Sequence, residues 1–272
     1  MGASLKPRKR SRLRIMLGKT YYTCMRYMEW YFGSKKLATT LIDAVFPHPI
    51  FKHQTPLLRK LDNVDMKLQH NKIKNLQLAV KCLNGVVVYP GETFSYWRLI
   101  GKTTRRKGYL DGMNLFYGKV VPGIGGGLCQ LSNLIYWMTL HTPLTVTERY
   151  RHSYDVFPDS NRTQPFGSGA TCAYNYLDLQ IYNGTEQPYQ LQAFLTNTDL
   201  VGEWRATNSS ELTYEIYEKE HWITHESWGG YVRHNTIGRR IYNGKMTLSE
   251  DEYITENHAI MMYQPFLSEG VR

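Results

Sequence analysis

Three consecutive glycines, Gly125-Gly126-Gly127, run straight into Leu128-Cys129-Gln130, and this junction constrains the fold more than any other stretch. Beyond it, Leu131, Leu134, Ile135 and Met138 recur at helical spacing, while Cys129, Ser132 and Asn133 fall mainly on the other side. The pattern predicts an amphipathic helix with the cysteine in its first turn, entered through a backbone that glycine frees to take unusual angles. Upstream, Ile73, Leu76, Ala79, Val80 and Leu83 share a second helical face, stopped by Asn84-Gly85. Val86 to Tyr89 reads as a buried strand closed by Pro90-Gly91. Residues 92–97 and 101–104 read as a loop wrapping the core, and 109–121 as short extended pieces.

Strand signals dominate later. Leu144 to Tyr150 is rich in β-branched residues. Residues 172–182 alternate, with Ala173, Leu177, Leu179 and Ile181 on one face and Tyr174, Tyr176, Asp178 and Gln180 on the other. Asn183-Gly184 then predicts a hairpin to a strand carrying Leu191, Ala193 and Leu195, and 157–169 is loop. Further strands are expected at 213–222, 239–242 and 260–263. The expected class is α+β: N-terminal helices, a central cysteine-bearing helix on a largely antiparallel sheet, and a small C-terminal β subregion. Residues 1–56 form a basic arm, an aromatic helix over 20–46 broken near Gly33, and a linker over 47–56. A core domain spans 57–204, and a β-rich extension 205–272.

Charge narrows the function classes. The chain carries a net +10, but residues 1–28 hold eight Lys or Arg and no acid, so the remainder is close to neutral. A nucleic-acid role does not follow from such a balance; an anionic membrane surface touched by the arm is one partner compatible with it. No secretory leader and no apolar run of about 20 residues is evident, so the expected location is cytoplasmic, peripheral to the inner membrane face. Tyrosine at 21 and tryptophan at 6 residues suit strands and half-buried, polar-tipped surfaces such as sugar or peptide clefts. The four cysteines are scattered without a CxxC pair, which argues against a zinc knuckle or a disulfide scaffold. His221 and His225 are four apart in a segment that reads as strand and turn, so no metal is implied. The glycine run lacks the lysine and spacing of a nucleotide loop, and no cofactor is implied.

One nucleophilic constellation stands out. A thiol in the first turn of a helix meets unpaired N–H groups and the positive end of the helix dipole, which favour thiolate. In a strand reading of 148–153, Glu148, Tyr150 and His152 share a face, so His152 is the candidate base for Cys129. Asp178 is the first choice to orient the imidazole and Glu148 its rival. N–H groups around Gly126 and Gly127, with Gln130, would cradle an oxyanion, and Ser132 and Arg149 complete the substrate-binding set. The competing reading leaves Cys129 as a small core residue under a glycine turn.

Several of these residues lie in recognisable strings: Pro90-Gly91-Glu92-Thr93-Phe94-Ser95, Gly125-Gly126-Gly127-Leu128-Cys129-Gln130-Leu131-Ser132, Glu148-Arg149 with His152-Ser153, Gly169-Ala170-Thr171, and Tyr176-Leu177-Asp178-Leu179. Through them the chain resembles the VanW family over about residues 75–200, and its short subgroup over nearly the whole chain. The family often has Asp where Gly169 stands. The resemblance implies a setting, glycopeptide (vancomycin) resistance and the bacterial cell wall, but carries no settled activity. Two readings remain open: a cysteine-dependent acyl or amide-bond enzyme, hydrolase or transferase, acting on peptidoglycan or its precursors, and a non-catalytic module recognising cell-wall peptide, sugar or a partner protein.

Overall fold

A computed structural model describes residues 6–7, 10–58, 65–156, 164–244 and 247–265. It is an α+β fold in which sheets dominate. Helices α1 (Arg12–Phe32), α2 (Met66–Leu83), α3 (Tyr96–Ile100) and α4 (Cys129–Leu140) pack among four sheets. A five-stranded antiparallel sheet runs in the order Thr40–Leu41, Val86–Val88, Tyr189–Leu195, Asp199–Ala206, His48–Pro56. A four-stranded sheet is ordered Lys36–Leu37, Glu92–Ser95, Gln180–Tyr182, Thr145–Glu148, with only its first pair parallel. Asp111–Phe116 and Lys119–Ile124 form a hairpin.

The core lies between these elements. Leu76, Ala79 and Leu83 of α2 and Leu131, Leu134, Ile135 and Met138 of α4 meet Val86, Val88, Leu191 and Trp204 of the larger sheet, Phe94 and Ile181 of the smaller, and Leu179 just before it. Each such fully buried aliphatic side chain contributes roughly 1.5–3 kcal/mol. The expected amphipathic α4 is buried on nearly every side from Leu131 to Leu140, Ser132 included, with Asn133 half-buried. A helix covered on nearly every side is a central post, and the polar side chains on its second face must find partners indoors.

Other expectations are corrected. The aromatic helix begins at Arg12 and ends at Phe32, where the N–H of Gly33 closes on Glu29 O; beyond Gly33 the chain is extended rather than helical. Residues 47–56 are no linker: His48–Pro56 is the edge strand of the larger sheet, paired with Asp199–Ala206. An edge strand bonds on one side only, which is why Pro49 and Pro56 are tolerated there. The supposed loop at 92–97 is a buried strand leading into α3. Nor do residues 172–182 form one strand, since only Gln180–Tyr182 pairs regularly, preceded by an isolated Ala173–Leu177 bridge. The expected hairpin at Asn183-Gly184 is absent. Gln180–Tyr182 and Tyr189–Leu195 belong to different sheets, and the Asn183 amide donates to Val88 O and Gln187 O, each at 2.8 Å, to stitch the crossing. The 157–169 loop lies, for 157–163, outside the described residues.

The C-terminal strands are longer than their sequence signals. Thr213–His225, Tyr231–Tyr242 and Leu248–Met261 form an antiparallel sheet, extended in parallel by Tyr154–Asp155.

Candidate functional site

Cys129 opens α4 behind Leu128, with no side-chain cap. The glycines before it serve close packing. A Cβ on Gly126 would stand 2.2 Å from the carbonyl carbon of Gly112, and one on Gly127, at φ +91°, would stand 2.2 Å from Lys72 Cγ. The same packing uses the N–H groups of Gly126 and Gln130, two of those expected to cradle an oxyanion, and that of Gly125 beside them. Gly125 N donates to Leu110 O (2.9 Å), Gly126 N to Gly123 O (2.9 Å) and Gln130 N to Gly127 O (3.1 Å). The Gln130 amide points to the edge strand, donating to Thr55 Oγ1 and Pro56 O at 2.9 Å each.

The thiol is a donor here. Cys129 Sγ lies 3.7 Å from Cys172 O, and burial raises its pKa above the ordinary thiol value against a smaller lowering by backbone hydrogen bonds. Burial acts against the thiolate expected at a helix start. Ser132 Oγ donates to Ala170 O at 2.8 Å and Cys129 O at 3.2 Å, and Asn133 Oδ1 accepts the Ala170 N–H at 2.7 Å. A Cβ on Gly169 would come within 2.8 Å of that Asn133 oxygen, so glycine at this position is what lets Asn133 hold the loop.

His152 lies in irregular backbone between the Thr145–Glu148 and Tyr154–Asp155 strands, so the shared strand face with Glu148 and Tyr150 does not exist. Burial, then the charge of Arg149, pushes its pKa down to about 4, leaving a neutral ring at physiological pH. Among the described residues it makes no hydrogen bond, to the Cys129 sulfur or to any other group.

The two carboxylates work elsewhere. Asp178 is fully buried and accepts from Ser95 Oγ (2.5 Å), Trp97 N (2.9 Å) and its neighbour's N–H, Leu179 N (2.9 Å), so it anchors the start of α3. Burial raises its pKa to about 6, against hydrogen bonds from Ser95 and Trp97 and the charge of Arg26. Glu148 pairs with Arg26 of α1 and accepts the Asp178 N–H at 3.1 Å. Burial by itself lowers the Arg26 guanidinium, but Glu148, with Asp178 and Glu29, carries it above its ordinary value. Arg149 is a bolt rather than a substrate clamp. It donates to Gly169 O (2.8 Å), Gly167 O, Asn257 Oδ1 (3.1 Å) and Thr255 Oγ1 (3.3 Å), and its guanidinium lies 4.9 Å from the Tyr136 ring centroid. Cys129 and Ser132 thus hold the backbone at 170–172, Asp178 and Glu148 form a separate hydrogen-bonded cluster with Ser95 and Arg26, and among the described residues no hydrogen bond joins His152 to either.

Sequence reasoning did not locate a second feature, an aromatic cleft of about 460 Å³. Tyr117, Lys119, Tyr154, Trp228, Tyr231 and Met262 line it. Their origins explain the miss: a hairpin turn, a two-residue strand, a second turn and the chain's last strand converge there. Tyr117 sits at φ +48°, next to Gly118 at +73°, whose missing side chain leaves room for Met262 (an added Cβ would be 2.7 Å from its sulfur). That turn sets the Tyr117 ring 6.4 Å from Tyr154, edge to face. The tyrosine content was the available signal, but no spacing in the sequence joins these positions. Half-buried rings with one cation at the rim offer flat apolar faces, phenolic donors and a positive charge, the elements by which proteins take up sugars and acidic groups. No helix among the described residues is long and apolar enough to cross a membrane, and no cluster of three or more His, Cys, Asp or Glu among them is arranged to hold a metal.

A sequence profile described as "VanW like protein" matches residues 71–205. The chain is 36% identical over 194 residues to the Vancomycin B-type resistance protein VanW of Enterococcus faecalis (strain ATCC 700802 / V583), covering 71% of this chain and 70% of that protein. It is 32% identical over 119 residues to the Uncharacterized protein YoaR of Bacillus subtilis (strain 168), covering 44% of this chain and 38% of that one. No solved structure matches.

Proposed function

The chain belongs to the VanW-like protein family, and from that premise we propose that it serves glycopeptide resistance as a non-catalytic recognition module. Its ligand is a cell-wall sugar-peptide or precursor, taken up in the aromatic cleft. The observation that carries this reading is the division of labour between the two candidate sites. Around Cys129 the thiol, both carboxylates, Arg149 and three backbone N–H groups are committed to internal partners. The cleft between Tyr117 and Trp228 is lined by half-buried aromatic rings, with Lys119 among them. A nucleophilic mechanism needs a base within about 2.6–3.2 Å, or one water, of the attacking group; the contact of the Cys129 thiol is the Cys172 carbonyl, with no direct hydrogen bond to His152. Stacking on a pyranose face needs only exposed aromatic planes, and Lys119 suits the carboxylates or phosphates of muramyl peptides and their activated precursors.

The test is a titration of the purified chain with soluble muramyl-peptide precursors, followed by calorimetry. Binding that survives Cys129→Ala and His152→Gln but weakens at least about tenfold in Trp228→Ala, equivalent to about 1.4 kcal/mol, supports the reading. Turnover of a precursor by the native chain, lost in Cys129→Ala, refutes it and restores the thiol enzyme.

A further inference from the structure

We propose that α1 is an interfacial helix that lays its outer face on an anionic lipid bilayer. The helix is fastened to the body by one side only. Arg26 is buried against Glu148 and donates to Asn175 O at 3.3 Å, the Tyr27 and Tyr174 hydroxyls meet at 2.7 Å, and Arg98 lies 6.0 Å from the Trp30 ring and 5.2 Å from that of Tyr31. On the opposite side Leu13, Leu17, Tyr21, Cys24 and Met28 succeed one another at intervals of three and four, so they form a single stripe. All of them are exposed, Leu17 at 58% and Tyr21 at 61%, and Phe32 closes the stripe at 85%. At 1.5 Å per residue the stripe from Leu13 to Phe32 is about 28 Å long. Among the described residues nothing covers it. A patch of that extent is an interaction surface rather than ordinary exposed apolar area.

Charge decides the occupant. Residues 1–28 carry eight Lys or Arg and no acid. Arg10, Arg12 and Arg14 crowd the N-terminal end of α1, whose first turn has no acidic residue. Cations there oppose the helix dipole and one another, an arrangement that stabilises nothing inside the chain and is offset by a negative surface outside it. A second copy of the chain laid along the stripe would bring a second set of the same cations. Anionic headgroups complement them, while the tyrosines and Phe32 suit the headgroup–acyl boundary. The helix is too polar to cross a bilayer, so it lies along the surface. The body would then be held at a membrane, independently of what the cleft binds.

The experiment is co-sedimentation of the full chain with vesicles of phosphatidylcholine alone or mixed with phosphatidylglycerol. A second readout is an environment-sensitive dye on Cys24, the exposed one of the four cysteines. Expected are binding at least about tenfold tighter to the mixed vesicles, consistent with several cations near the surface, and a blue shift of the dye on binding. The doubly substituted Leu17→Ser/Tyr21→Ser chain, altered only at exposed positions, should lose both while its circular dichroism stays native. Equal binding by that variant, no dye shift, or a concentration-dependent dimer abolished by the same substitutions without vesicle binding would overturn the proposal.

Discussion

Removing the Arg26 side chain tests the knot around Glu148 most directly. The guanidinium donates to Glu148, to Glu29 Oε2 at 2.6 Å and to Asn175 O at 3.3 Å, and is only 7% exposed. Arg26→Met keeps the length of the stem but strands two carboxylates, one 17% and the other 26% exposed. Breaking a buried pair costs about 3–5 kcal/mol. Because Glu148 keeps the Asp178 N–H and Glu29 keeps Lys35 at 2.6 Å, the lower end, about 3 kcal/mol, is expected. Glu148→Gln leaves Arg26 paired with Glu29 and should cost about 1–2 kcal/mol. The double variant should be less destabilised than the two losses added, by about 1–2 kcal/mol, since the second substitution removes the charge the first one orphaned. Equilibrium urea unfolding of the four proteins, monitored by tryptophan fluorescence, measures the cycle. An Arg26→Met chain within about 0.5 kcal/mol of the parent, the range of an ordinary surface change, refutes the reasoning. Strict additivity would do the same, leaving Glu148 free to orient a histidine.

The same geometry sets three further outcomes. Asp178 holds its proton up to about pH 6 when folded, against 3.8 for an ordinary aspartate side chain. Its contribution is therefore complete below about 3.8 and lost as pH rises through about 6; Asp178→Asn should gain on the parent by about 2–3 kcal/mol between about pH 4 and 7 in urea midpoints, and a difference flat with pH would sink the assignment. Gly126→Ala should destabilise by at least about 2 kcal/mol, because backbone must move to admit the Cβ, whereas Gly18→Ala, with open space around it, should gain about 0.5–1 kcal/mol; similar melting shifts for both would contradict this packing. Iodoacetamide mass-mapping at neutral pH should modify exposed Cys24 well before Cys129, whose thiol pKa burial raises, and the reverse order would reinstate a primed nucleophile.

Local patterns were legible where one periodicity ran long enough. The α2 face from Ile73 to Leu83 and the start of α4 at Cys129 read directly from spacing. Alternation misled at 172–182, because a segment that threads beneath other elements is buried on both sides, and Asp178 is drawn inward by the Ser95 hydroxyl and the Trp97 N–H rather than outward by its parity. Pro49 and Pro56 read as a linker because nothing local tells an edge strand from a spacer; the partner, Asp199–Ala206, lies some 150 residues away. The Cys129 environment was half legible. Spacing placed the thiol at a helix start, but the carbonyl of Cys172 beside it is a product of tertiary packing.

Arg149 also bears on how the molecule can be divided. Its guanidinium reaches Thr255 and Asn257, and the last strand of the 71–205 match takes its outer partner from His48–Pro56. A fragment cut at the edges of the family match would expose a sheet edge on one side and strip Arg149 of its Thr255 and Asn257 acceptors on the other, inviting aggregation. Expression trials should therefore keep residues 48–261 together, and deletion mapping of this protein will report cooperative collapse rather than the loss of separable activities.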